Sequence, residues 1–115
     1  MRFMLSLFDP EGYWDSVSEE QMGAALDEHR AFARFLGERG IEFSGEAVMP
    51  AGEAVTLRPS DDGVSVAKAP FAERREDFAG FYLVDCADLE EALEIAAHCP
   101  MGAGVEVRPV WSAPS

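Results

Sequence analysis

Strand, helix, strand, hairpin, strand, helix, strand: this order within 115 residues predicts an α+β domain with a ferredoxin-like antiparallel sheet. Three observations carry the prediction. Residues 18–36 and 88–99 each place apolar side chains at three- and four-residue steps behind a helix-start signature, whereas three other stretches alternate with a period of two and a fourth, residues 80–86, reads as a strand. Between the two halves, Asp62-Gly63 marks a tight turn joining two short β-prone runs. Two β-α-β halves of this kind interlock in one sheet and lay both main helices on the same face.

Residues 2–8 put Phe3, Leu5 and Leu7 on one parity and Met4, Ser6 and Phe8 on the other, which is strand alternation. Asp9-Pro10-Glu11-Gly12 ends the strand. Ser18 and Gln21 have the spacing of a capping box, in which hydroxyl and amide satisfy N–H groups that a helix start leaves open. The helix runs to about Leu36, and its stripe of Met22, Ala25, Leu26, His29, Phe32, Ala33 and Leu36 sets His29 among apolar neighbours. Gly37 and Gly40 close it. Residues 41–48 alternate as a second strand, and 54–58 with 63–67 form the hairpin. Residues 71–77 read as a charged connector with one irregular helical turn, and 80–86 as a strand. Asp88 and Glu91 open a second helix with the stripe Leu89, Ala92, Leu93, Ala96 and Cys99, which Pro100 stops. Residues 105–110 alternate as the last strand, and 111–115 form a short tail.

The length supports one core and predicts a single domain over 1–115. No apolar run approaches the roughly 18 residues of a membrane span, and residues 1–5 enter a strand without a cleavage site. The expectation is a cytoplasmic protein that does not engage membranes. Nine Lys and Arg stand against 22 Asp and Glu, for a formal charge of -13. That field repels a phosphate backbone, so direct nucleic-acid binding is not expected. Cys86 and Cys99 are too few for a disulfide framework and lack zinc or redox spacing, and both are expected to be small buried residues. His29 and His98 lie far apart without neighbouring ligands, and no metal or cofactor is expected. Gly102-Ala103-Gly104 precedes a strand, not a helix, and so is no phosphate loop.

With both helices on one face, the opposite face carries Met4, Phe8 and the aromatic alternates of later strands. An apolar sheet face of that size is seldom left in water, and a homodimer closing two such faces together covers it. Among polar residues, His29 is the sharpest candidate, because burial disfavours imidazolium and leaves a neutral base or hydrogen-bonding group near pH 7. His98 is better placed to interact with a helix C-terminus. Tyr82 lies on a strand where its hydroxyl can enter a pocket beneath the first helix, and Tyr13 and Trp14 stand where a rim or a helix-start staple would be.

Pro70-Phe71-Ala72-Glu73 followed by Gly80-Phe81-Tyr82-Leu83 resembles the YCII-related domain family, in particular the DGPF branch named for an Asp-Gly-Pro-Phe-Ala-Glu-Thr-Lys-Glu block ahead of a Gly-Gly-Phe-Tyr-Leu strand. The resemblance extends from Arg2-Phe3-Met4-Leu5 to residues 105–110. It implies the dimeric α/β-barrel type of ferredoxin-like domain and no generally established reaction. Relatives of this branch are sometimes associated with transcription regulators of the sigma-factor type. The chain departs from the block at Lys68-Ala69 for Asp-Gly, at Arg74-Arg75 for Thr-Lys and at Ala79 for the first Gly. A cation at Lys68 therefore replaces the acid that would be the motif's natural base or ligand.

Together these readings predict a homodimer that binds a small organic molecule between sheet and helices. His29 is the candidate catalytic group, and Phe71, Glu73 and Tyr82 are the ligand-binding candidates. Two alternatives stand beside this reading. One is a lyase- or isomerase-like enzyme in which His29 carries the proton, and the other is a protein-binding accessory linked to transcription regulation.

Overall fold

The alternation of residues 2–8 produces β1 (Arg2–Pro10), the strand against which both halves of the sheet are laid. The structure is a computed structural model that describes residues 1–72 and 75–112. After β1 come α1 (Glu19–Glu38), β2 (Phe43–Ala47), β3 (Thr56–Ser60), β4 (Gly63–Ala67), β5 (Glu76–Asp85), α2 (Leu89–Ala96) and β6 (Gly104–Pro109). The main sheet has the order β2-β5-β1-β6 with every neighbouring pair antiparallel. Each helix thus joins two strands with a third strand between them, the interlocked arrangement of a ferredoxin-like α+β fold. β3 and β4 form a separate two-stranded sheet.

Register decides which side chains meet the helices. Phe3 pairs with Val84, Leu5 with Tyr82 and Val107, and Leu7 with Gly80 and Val105. This parity is the helix-covered one, with Phe3, Leu5 and Val84 at 1% exposure or less. Phe32 and Leu36 from α1, and Ala92, Ile95, Ala96 and Cys99 from α2 and its end, complete the core. Each fully buried large side chain contributes about 1.5–3 kcal/mol. The other parity carries Met4 opposite Leu83 and Ser6 opposite Phe81, then Phe8 opposite Phe78, with polar Ser44, Glu46, Glu106 and Arg108 toward the edges.

Three details differ from the sequence expectations. β5 begins at Glu76, inside the expected connector, because β1 runs on to Pro10 and supplies partners for Glu76, Asp77 and Phe78. A register shift after Leu7 leaves Ala79 as the extra residue. On α1, Met22 and Leu26 are half exposed, since only the later turns of the helix reach the sheet. On α2, Leu89 and Leu93 are also half exposed while Ile95 is fully buried. Ala92, Ala96 and Cys99 of the expected stripe are buried, and the buried face is rotated toward Ile95 and away from Leu89 and Leu93. Both cysteines are buried and unpaired. Among the described residues, no helix is long and apolar enough to cross a membrane.

Candidate functional site

The first helix is started by reciprocal capping, with the Gln21 N–H donating to Ser18 Oγ at 3.1 Å and the Ser18 N–H donating to Gln21 Oε1 at 2.9 Å. From that fixed start, three- and four-residue spacing carries His29, Phe32 and Leu36 to the sheet-facing side. Tyr82 rises from the middle of β5 on the same side. Directly across from it on β2 stands Gly45, where a Cβ would lie 2.8 Å from Tyr82 Cδ1 and closer still to the Phe81 carbonyl. The glycine leaves room for the phenol ring to lean over β2.

His29 Nδ1 and Tyr82 Oη are 2.6 Å apart, a hydrogen bond in which the imidazole tautomer decides the donor. The rings are stacked with centroids 5.8 Å apart, and Phe32 meets Tyr82 edge-on at 4.9 Å. Burial lowers the His29 pKa from its usual 6.5, with the charges of Glu28 and Asp9 pulling partly against it. Burial also pushes the Tyr82 phenol up to about 12, with Cys99 adding to the effect. Near neutrality the pair is therefore an uncharged imidazole and an uncharged phenol sharing one proton. Among the described residues, His29 Nε2 has no hydrogen-bond partner.

The low histidine pKa has a consequence for stability. As pH falls through about 6.5, the unfolded chain takes up a proton that the native ring resists. The stabilisation associated with neutral His29 is whole above that pH and is lost as pH drops toward the lower native value. Urea midpoints measured at about pH 7.5 and about pH 5.5 should therefore fall more for the wild type than for His29→Gln. Parallel profiles for the two proteins would contradict the assignment.

Around the end of β1, the Trp14 indole N–H donates to the Asp9 carboxylate and the Gly12 N–H donates to Asp77 Oδ2 at 3.0 Å. Asp9 had no functional signal in the sequence, where it belongs to an Asp-Pro turn; its charge reaches His29 only because α1 folds back over β1. Tyr13 packs edge-on against Trp14 at 5.2 Å. His98 stacks on Phe35 at 4.2 Å, just past the end of α2. Burial pushes the Cys99 thiol up to about 12 and also raises Cys86, so neither is a ready nucleophile at neutral pH.

A family model for the YCII-related domain matches residues 1–113. The chain belongs to the YCII-related domain family. An uncharacterised protein of Rhizobium meliloti (strain 1021) is similar to it, with 32% identity over 114 residues that cover 96% of this chain and 92% of that protein. In this YCII-related chain the predicted site residues separate in space. His29 and Tyr82 come together, but Phe71 lies elsewhere at 66% exposure. It lines a groove of about 580 Å³ with Phe8, Val48, Met49 and Phe78, and neither His29 nor Tyr82 borders that groove. The Arg58 guanidinium lies 4.1 Å from the centre of the Phe71 ring. Glu73 lies outside the described residues. Among the described residues, no three His, Cys, Asp or Glu side chains gather where a metal ion could be held.

Proposed function

We propose that this YCII-related chain binds a small organic molecule through the exposed side of His29, as a homodimer closed over the open sheet face. The observation that carries the reading is the 2.6 Å bond between His29 Nδ1 and Tyr82 Oη. When Tyr82 donates to Nδ1, the Nε2–H is left as a donor for a carbonyl or carboxylate. When Nδ1 donates instead, Nε2 offers a lone pair to a hydroxyl or amine. In either tautomer Tyr82 engages Nδ1 and leaves Nε2 for the bound molecule, and the exposed Phe43 beside Tyr82 supplies apolar contact. The dimer reading is supported by Met4, Phe8, Phe78, Phe81 and Leu83, which share the sheet face that the helices leave open.

The same pair supports a proton-carrying role. With Nδ1–H donating to the phenol oxygen, Nε2 can accept a proton from a bound molecule, and the resulting imidazolium keeps its bond to Tyr82. Both readings face one test. In a thermal-shift screen of small carboxylic acids, ketones and phenols against the unliganded protein, a binder should raise the wild-type melting temperature. Tyr82→Phe keeps the ring packing and should lose most of that rise, as should His29→Ala. Equal shifts in all three proteins would place the molecule elsewhere.

A further inference from the structure

The β3–β4 hairpin is an arm without a body beneath it. Its strands pair in regular register from Thr56↔Ala67 to Ser60↔Gly63, yet a two-stranded hairpin alone in water is marginal. The radius of gyration is 16.3 Å, where a compact chain of this length has about 13 Å. One face of the arm is apolar. Leu57 pairs with Val66 and Pro59 with Val64, Val55 continues the same parity, and Val55, Leu57, Val64 and Val66 are 55%, 57%, 61% and 65% exposed.

Charge on the arm is polarised along its length. Asp61 and Asp62 occupy the tip turn, whereas Lys68 is at the root and the Arg58 side chain is drawn back to the Phe71 carbonyl and ring there. Residues 54–72 hold two cations (Arg58, Lys68) and two anions (Asp61, Asp62), so they sum to zero and the whole formal charge of -13 resides on the remainder.

We propose that the arms of two copies of this chain stack antiparallel through their apolar faces, about a twofold axis near the Leu57–Val66 pair. Two such faces pack about 10 Å apart. Antiparallel stacking sets the Asp61-Asp62 tip of each copy beside the Arg58 and Lys68 root of the other, and it holds the two acidic bodies at opposite ends of the stack. Parallel stacking does the reverse on both counts. Each face measures only about 10 by 17 Å, well short of the roughly 800 Å² per partner of a stable pair. The contact is therefore weak by itself and gains strength in chains also joined elsewhere. It is a surface distinct from the open sheet face and does not depend on pairing there.

Cysteine trapping tests the contact. Val66→Cys lies near the axis, and Cys86 and Cys99 are buried and do not compete. A short bismaleimide, which bridges faces about 10 Å apart where a direct disulfide does not, should link Val66→Cys into dimers about tenfold or more faster than Glu38→Cys at the exposed end of α1. Adding Asp61→Lys with Asp62→Lys, or Arg58→Glu with Lys68→Glu, should slow trapping about tenfold at low salt, and mixing the two charge-reversed proteins should restore it. Trapping at the control rate overturns the proposal, as does trapping that is indifferent to charge reversal. Sedimentation of the wild type and of Leu83→Lys reports separately on the sheet face, where Leu83 lies opposite Met4: pairing that survives Leu83→Lys, or a monomeric wild type, with arm trapping intact refutes the sheet-face dimer alone. Unchanged circular dichroism melting shows that each arm variant remains folded.

Discussion

Phe32→Ala should lose about 3–5 kcal/mol of folding stability, read as a fall of roughly 10–20 °C in melting temperature. Phe32 is 2% exposed, its ring edge meets Tyr82 at 4.9 Å, and it stacks on Phe35 at 6.1 Å. The cavity cannot close easily, because its walls are β1 and β5 side chains tied into a central ladder. Domains of this size have only about 5–15 kcal/mol in total, so the variant approaches the folding threshold. Phe32→Leu fills most of the space and should cost about 1–1.5 kcal/mol. A loss below about 1 kcal/mol for the alanine variant would mean that the aromatic cluster is not the centre of the core.

Gly45→Ala should cost about 2–3 kcal/mol and displace Tyr82 from His29. The added methyl would lie 2.8 Å from Tyr82 Cδ1 and closer to the Phe81 carbonyl. A ring can turn aside, but the carbonyl belongs to the β5 backbone, between β2 and β1, and moves only if the sheet does. Tyr82 is therefore expected to yield first, which removes the burial that holds its phenol near 12. Ultraviolet titration should then show phenolate forming closer to the ordinary value of 10. Gly52→Ala is the matched control, since nothing lies within 4 Å of its added Cβ. It should stay within about 0.5 kcal/mol of the wild type. An unchanged tyrosine titration in Gly45→Ala, with normal stability, would show that the strand has room to spare.

Local rules made much of this legible in advance. The Ser18–Gln21 box and the Asp88 cap stand where the helices begin, and each arises from hydrogen bonds within three residues. The parity of Phe3, Leu5 and Leu7 named the buried face of β1, because a period of two assigns sides before any partner is known. The stripe likewise directed His29 toward the sheet, and Tyr82 was singled out on its strand. Their bond was not legible, because 53 residues separate them and nothing in either segment specifies the other. Gly45 was invisible as a site residue for the same reason. Only the pairing of β2 with β5 sets it opposite Tyr82.

Sequence patterning was sufficient for the order of elements, their apolar sides and the family, since propensity, capping and period are properties of neighbouring residues. Long-range packing settled the phase of α2, the early start of β5, the separation of Phe71 from His29 and the outward reach of the β3–β4 arm. None of these is a property of neighbouring residues alone. The choice fell to contacts between segments far apart in the chain, whose free energy exists only once the sheet has closed.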